Sequence, residues 1–318
     1  MARLSNDNAE LAPRTSFEGP ELRFELPGLE IGIAEYDEGP TGCTVFLFPA
    51  GSACSVDIRG GSPGVNGAGY EIVEAICLAG GSLYGLEAAA GVAAELLARR
   101  EYRTGWLEIP LVAGAIIFDW GPRDNAVYPD KELGRAAVRA ARPGIFPLGP
   151  RGAGRSATVG KLFAYEEGEP GGQGAAFRQV GETKIAVFTV VNAVGAIVDR
   201  DGNVVRGHLD RDRGLRRSLV SGVEERLAAG LPVRSPPGNT TLTVVATNLR
   251  LDPRQLRTLG RQVHASMARA IQPFHALEDG DVLFAVSTGA VERDPLLDTT
   301  ALGVVASELA WDAVLSLT

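Results

Sequence analysis

Hydrophobic positions along this 318-residue chain come in short runs that switch between the two-residue period of strands and the three-to-four-residue period of helices. Leu22 to Leu26 and Leu29 to Ala34 read as strands on either side of Pro27-Gly28. Thr44-Val45-Phe46-Leu47-Phe48 is apolar enough to be buried on both faces. Ala75 to Ala79 leads through Gly80-Gly81 to Ser82, which the pattern makes the N-cap of an alanine-rich helix running to about Arg100. Leu111 to Asp119 is a further strand. Tyr128-Pro129-Asp130 introduces a helix to about Ala141, with Leu133, Ala137 and Ala140 on one face.

Ile185 to Val191 and Val194 to Val198 read as strands, with Asn192-Ala193 as the break between them and Asp201-Gly202 as a turn after them. Arg216 to Ala229 predicts an amphipathic helix. A loop rich in Pro and Gly, Arg234 to Gly238, then stops at Asn239, and a Thr/Val run that reads as a buried strand starts at Thr240. Asp252-Pro253 opens a helix whose Leu256, Leu259, Val263, Met267 and Ile271 lie three or four apart. Gly280 and Asp281 open the strand Val282 to Thr288, and Thr300 to Leu317 forms the last helix. Strands alternate with helices and no linker or repeat divides the chain. This order predicts one α/β domain with helices stacked outside sheets.

Composition narrows the class. A hydrophobic content of 45% against 22% charged supports a sizeable core, and 40 glycines, many in clusters such as Gly60-Gly61, Gly80-Gly81 and Gly171-Gly172, predict tight turns and close approaches between layers. The net charge of −8 argues against nucleic acid or an anionic membrane as partner. Arg211 to Arg217 is the densest basic stretch and reads as a solvated loop. Three scattered cysteines, Cys43, Cys54 and Cys77, predict reduced thiols in a cytoplasmic protein. Residues 1–21 are polar, without the apolar stretch of a secretory signal, and are expected to form a mobile extension.

Several chemistries fail on spacing. Gly154 to Lys161 has one residue too many for a phosphate loop, and Leu162 stands where a magnesium-binding hydroxyl is needed. Gly172-Gln173-Gly174 lacks the third glycine of a dinucleotide fingerprint, and Gly80-Gly81-Ser82-Leu83-Tyr84 lacks the last glycine of a hydrolase elbow. His208 lies in a charged loop, His264 on a helix and His275 after Pro273, none in recognisable triad context. No Cys/His pairing suggests a metal, and no cofactor is expected.

What survives is a hydroxyl at a loop-to-strand junction. If the Asn239–Thr240 bond were cut, Thr240 would carry a free α-amino group, with a pKa of about 8, beside its own hydroxyl, so that one residue supplies nucleophile and base. An ordinary turn is the competing reading. Three polar sites gain interest beside it, each with an ordinary alternative: Lys161 closing a glycine-rich loop, otherwise a surface lysine; Asn192 interrupting apolar strands, otherwise a turn residue; and Asp279 with Asp281, two apart and therefore on the same side of an extended chain, otherwise a surface turn.

Glu38-Gly39-Pro40-Thr41-Gly42, Ala75 to Ser82, Tyr128-Pro129-Asp130-Lys131, Gly238-Asn239-Thr240-Thr241 and Ile271 to His275 together resemble the endo-type 6-aminohexanoate-oligomer hydrolases. Those nylon-oligomer hydrolases group with the L-aminopeptidase/D-esterase and β-aminopeptidase members of the N-terminal nucleophile proteins. The resemblance implies a four-layer αββα sandwich that cuts itself between Asn239 and Thr240 into a large subunit, residues 22–239 with the extension, and a small one, residues 240–318. It implies a tetramer of such pairs acting on an oligo-amide or peptide. It also implies Thr240 as nucleophile, Lys161 as its activating neighbour, Asn192 as oxyanion partner, and Asp279 with Asp281 around the new amino terminus. Phe118 departs from the family pattern, which has tyrosine there, and is expected to act as a pocket residue only.

Overall fold

The computed structural model describes residues 3–234 and 236–317. Residues 1 and 2 of the expected extension, Ser235 of the loop and Thr318 of the expected small subunit lie outside it. The main strands are β1 (Glu30–Tyr36), β2 (Thr41–Ile58), β3 (Ile72–Ala79), β4 (Val112–Ile116), β5 (Gly172–Val180), β6 (Thr183–Asn192), β7 (Thr240–Leu249) and β8 (Val282–Val291). Hydrogen bonding joins them in the order β5-β6-β7-β8-β2-β3-β4, with β1 on β2. The 18-residue β2 is the hinge of this sheet. Its first half pairs with β1 and β3, and its second half pairs with β8, with a slip in register between Leu47 and Ser52.

Three apolar clusters follow from the alternation of side chains along these strands. The central one packs Ile31, Phe46 and Ile76 from one half against Phe188, Val244 and Phe284 from the other. The opposite faces carry the other two. Val45, Leu47 and Cys77 meet Val92 of α1 (Leu86–Arg99) and Leu133 of α2 (Lys131–Arg139). Val187, Val245 and Leu283 meet Leu259 and Val263 of α4 (Pro253–Ser266) and Leu302 and Leu309 of α5 (Thr299–Leu315). The order helices, sheet, sheet, helices is the expected αββα sandwich. The remaining helix, α3 (Leu219–Ala228), buries only Gly222 and precedes the loop to Asn239.

Capping explains most helix starts. The carboxylates of Asp130, Asp252 and Asp298 each accept the backbone N–H three residues on. Four sequence expectations are corrected. Ser82 does not cap α1. Gly81 and Ser82 both have positive φ (77° and 52°), and the helix proper starts at Leu86 after a 3₁₀ turn. Arg216 does not begin α3, because Ser218 accepts from Ser221 N–H and sets the start at Leu219. Ile271 lies outside α4, in a short strand paired with Ala196–Val198, since Pro273 disfavours helix just upstream. Asn192 is not a break but the last residue of β6. Before β1, the chain is tied to the body: Ala126 N–H donates to Leu4 O at 2.7 Å, and Leu11 and Phe17 pack on the core.

Candidate active site

Strand register builds the site. In the antiparallel β6–β7 pair, Asn192 stands opposite Thr240. On the other edge of β7, the parallel pairing with β8 continues one step before both strands: Asn239 N–H donates to Glu278 O at 3.3 Å, and Gly280 N–H donates to Asn239 O at 2.8 Å. The ladder then changes partner. Thr241 N–H turns to the carboxylate of Asp281, Oδ1 at 2.7 Å. Thr240 is therefore clamped between Asn192 and the Asp279-Gly280-Asp281 segment and is 4% exposed.

The Thr240 hydroxyl donates to the carbonyl oxygen of Asn239. That same oxygen receives the Gly280 N–H, so a hydroxyl and a polarising donor converge on one peptide group. Glycine is required there by space. A Cβ on Gly280 would stand 2.8 Å from Thr240 Oγ1 and 2.7 Å from Ser62 O. The Asn239 side chain donates to Pro236 O at 2.6 Å, which folds the preceding loop back on itself.

Lys161 and Asn192 form the second wall. Lys161 Nζ donates to the backbone O and Oδ1 of Asn192, at 3.2 and 3.3 Å, and Oδ1 also accepts Thr158 N–H at 2.9 Å. With its oxygen occupied, the Asn192 amide points its NH2 outward and donates to Phe118 O at 3.0 Å and Gly238 O at 3.1 Å. The loop before the junction thus takes up one of the two Asn192 amide hydrogens. Burial lowers the Lys161 ammonium to about 7, while the charge of Asp279 pulls it upward.

Asp279 and Asp281 are both fully buried. Asp279 accepts Val194 N–H at 3.3 Å and Ala276 N–H at 3.1 Å. Burial, with Asp281 beside it, raises its carboxyl to about 7, against those N–H bonds and Lys161. Burial thus draws a buried amine down and pushes a buried acid up in one region, an arrangement suited to proton transfer. Phe118 keeps 38% exposure and lays its ring on Gly238.

The structure brings together every candidate residue: Thr240, Asn239, Lys161, Asn192, Asp279, Asp281 and Phe118. It adds two that the sequence reading did not single out for the site. In the sequence Gly280 only opens a strand, and its register to Asn239 is what reveals its N–H. His275 was set aside for lack of context, yet its backbone N–H and Nδ1 both meet Asp281 Oδ2, at 3.1 and 3.0 Å. His264 lies beside it, ring centroids 4.5 Å apart, with its own Nδ1 on Asp57 Oδ2 at 2.9 Å. His208, expected in a charged loop, is instead fully buried against Phe163, and burial lowers it to about 4. Among the described residues no cluster of three or more His, Cys, Asp or Glu is placed to hold a metal ion.

Comparison with known proteins gives the fold and the family. The solved β-aminopeptidase of a Burkholderia species superposes with a TM-score of 0.64 at 18% identity, covering 96% of this chain and 89% of that one. The L-aminopeptidase D-Ala-esterase/amidase of Ochrobactrum anthropi, described as a variant of the Ntn hydrolase fold, gives 0.64 at 17% identity over 95% and 88%. These likenesses share the αββα architecture. Closer in sequence, the 6-aminohexanoate-oligomer endohydrolase of Agromyces sp. (strain KY5R) is 50% identical over 98% of this chain and 89% of its own length. The sequence pattern of peptidase family S58 spans residues 24–317. Half-identity along nearly the whole length, together with that match, makes this chain a member of peptidase family S58, the amide-bond hydrolases.

Proposed function

We propose that the chain matures by cutting its own Asn239–Thr240 bond, and that Thr240 then hydrolyses internal amide bonds of 6-aminohexanoate-type oligomers. The observation that carries this reading is the convergence of the Thr240 hydroxyl and the Gly280 N–H on the Asn239 carbonyl. In the cut, Oγ1 attacks the Asn239 carbonyl carbon, the peptide C–N bond breaks, and the hydroxyl proton passes to the departing amine of Thr240. Water then hydrolyses the ester, leaving the Asn239 carboxylate and a free Thr240. Lys161, held near neutrality and bonded to Asn192, is the group we assign to moving the proton.

Once residues before the cut withdraw, the Asn192 NH2 is released from Gly238 O and becomes the donor for the substrate oxyanion. The α-amine of Thr240, beside Asp279 and Asp281, serves as base for its own hydroxyl. An acyl-enzyme ester on Oγ1 forms and water releases it. The named endohydrolase relative of Agromyces supports the substrate class. In the same reading the fragments stay paired and four pairs assemble into a tetramer.

Denaturing electrophoresis tests the core of this. Wild type is expected to give two fragments, the smaller beginning at Thr240, and Thr240→Ala a single uncut chain. Two bands from that variant would remove the proposed nucleophile. The likeness to aminopeptidases supports a second reading, exo-action from a free substrate amine. Oligomers acetylated at the amine separate the two: endo-action cuts them, and complete loss of turnover on capping selects the aminopeptidase.

A further inference from the structure

Beside the junction lies a strip of apolar side chains facing solvent. Leu83 and Tyr84 are 63% and 65% exposed, and Phe118 is 38% exposed. Their rings run in steps: Phe118 to Trp120 at 5.8 Å and edge-on, and Trp120 to Tyr84 at 5.7 Å. Trp120 spends its N–H on Val127 O at 3.2 Å, so its remaining surface is hydrocarbon.

The fold invests rigidity in presenting this strip. Gly81 and Ser82 lie in the left-handed region, and for Ser82 that conformation is unfavourable. It is held because Gly81 N–H donates to Asp119 Oδ1 at 2.9 Å and Ser82 N–H to Ile117 O at 2.9 Å. Asp119 is itself locked by a fully buried pair with Arg123 at 2.6 Å and by the Thr41 hydroxyl at 2.6 Å. A strained turn, over-determined by a buried ion pair, throws two large apolar side chains into water. Such strain persists only where the surrounding structure over-determines it, and it clusters at ligand-binding and active sites.

The strip also touches the site at two points. The Phe118 ring rests on Gly238, and its carbonyl accepts the Asn192 NH2. Leu83 lies against the 62–64 loop, where a Cβ on Gly64 would come 3.2 Å from Leu83 Cδ2. Pro63 of that loop backs Gly280.

We infer that Leu83, Tyr84, Phe118 and Trp120 form a binding strip for the unbranched methylene segment of an oligo-amide, next to the bond being cut. This deepens the proposed function and rests on it for the choice of ligand. The strip's own side chains carry no charge. An α-peptide would bring a backbone amide every third chain atom over side chains of which only the Tyr84 hydroxyl can pair with one, and each amide left unpaired costs free energy. A polymethylene run between widely spaced amides meets no such penalty.

The test is a binding measurement on the matured enzyme, using N,N′-diacetylhexane-1,6-diamine as probe. Tryptophan emission is expected to change saturably with the probe, and Trp120→Phe to abolish that change. Tyr84→Ser, at an exposed position that does not threaten folding, is expected to weaken the dissociation constant about tenfold, and Leu83→Ser to act likewise. An acetylated glycine oligomer amide of similar length is expected to give no saturable change. Three results would overturn the strip: no saturable response, an affinity indifferent to Tyr84→Ser, or a change in sedimentation on Tyr84→Ser, which would make this surface a contact between copies. Probe binding without oligomer hydrolysis would sink the catalytic reading and leave the strip standing. Hydrolysis with binding that ignores Tyr84 would do the reverse.

Discussion

Gly280 and Lys161 carry the sharpest consequences at the scale of single residues. A methyl group on Gly280 has nowhere to go except against Thr240 Oγ1, 2.8 Å away, and Ser62 O, 2.7 Å away. Displacing the oxygen proposed to attack by a fraction of an ångström is costly, so Gly280→Ala is expected to slow the proposed self-cutting about 100-fold, followed as the fraction of intact chain against time. The pH dependence follows from Lys161. Its affinity for a proton is depressed to about 7 by burial, so the neutral amine becomes available as pH rises through that value. Cutting is therefore expected to accelerate from pH 6 to 8. Asp279 raises the Lys161 value, so Asp279→Asn is expected to move the midpoint of that rise to lower pH. A midpoint moving upward, read from the same time courses, would remove Lys161 from proton transfer. The residues on which the proposed chemistry rests were legible in the sequence by their places: Asn239-Thr240 at a loop-to-strand junction, Lys161 closing a glycine-rich loop, and two aspartates at the mouth of a strand. Gly280 and His275 were not, because an N–H donor and a carboxylate-bound imidazole are defined by partners far away along the chain.

Elements read well from periodicity where one face is buried and poorly where backbone geometry rules. The strands and helices of all four layers fall close to their expected runs, because an apolar stripe with a period of two or of three to four must face a core. The start of α1 was misplaced, because tertiary bonds to Asp119 and Ile117 hold Ser82 at φ 52° instead of in a cap. The density of glycines foretold close approach without saying of what. At the crossing of α1 and α2, a Cβ on Gly134 would stand 2.0 Å from Ala88 O, and one on Gly91 would stand 2.1 Å from Lys131 O. Alanine improves helix propensity by about 0.5–1 kcal/mol, but overpacking against a backbone carbonyl costs about 1–3 kcal/mol. The clash wins. Gly134→Ala is expected to lower the thermal midpoint by several degrees in a calorimetric scan.

For the whole molecule, the proposed cut falls between strands that share one sheet. β7 and β8 belong to the part after Asn239, yet β7 is hydrogen-bonded to β6, and β8 to β2, both from the part before it. The fragments are therefore expected to co-elute on native gel filtration after complete cutting and to separate only in denaturant. Fragments that drift apart in buffer would contradict the ladder. The three buried thiols lie in the apolar clusters and are unpaired. Among the described residues no helix is long and apolar enough to cross a membrane. By itself the sequence determined the layers and offered the residues on which the proposed chemistry rests, because hydrophobic period and local turn signals act over a few neighbouring residues. Only the tertiary structure decided that Gly280 polarises the Asn239 carbonyl, that Gly238 covers the Asn192 amide, and that an apolar strip borders the junction. Each of those depends on strand register or on contacts between segments 41, 46 and 120 residues apart, and a local pattern carries no record of which distant edge it will meet.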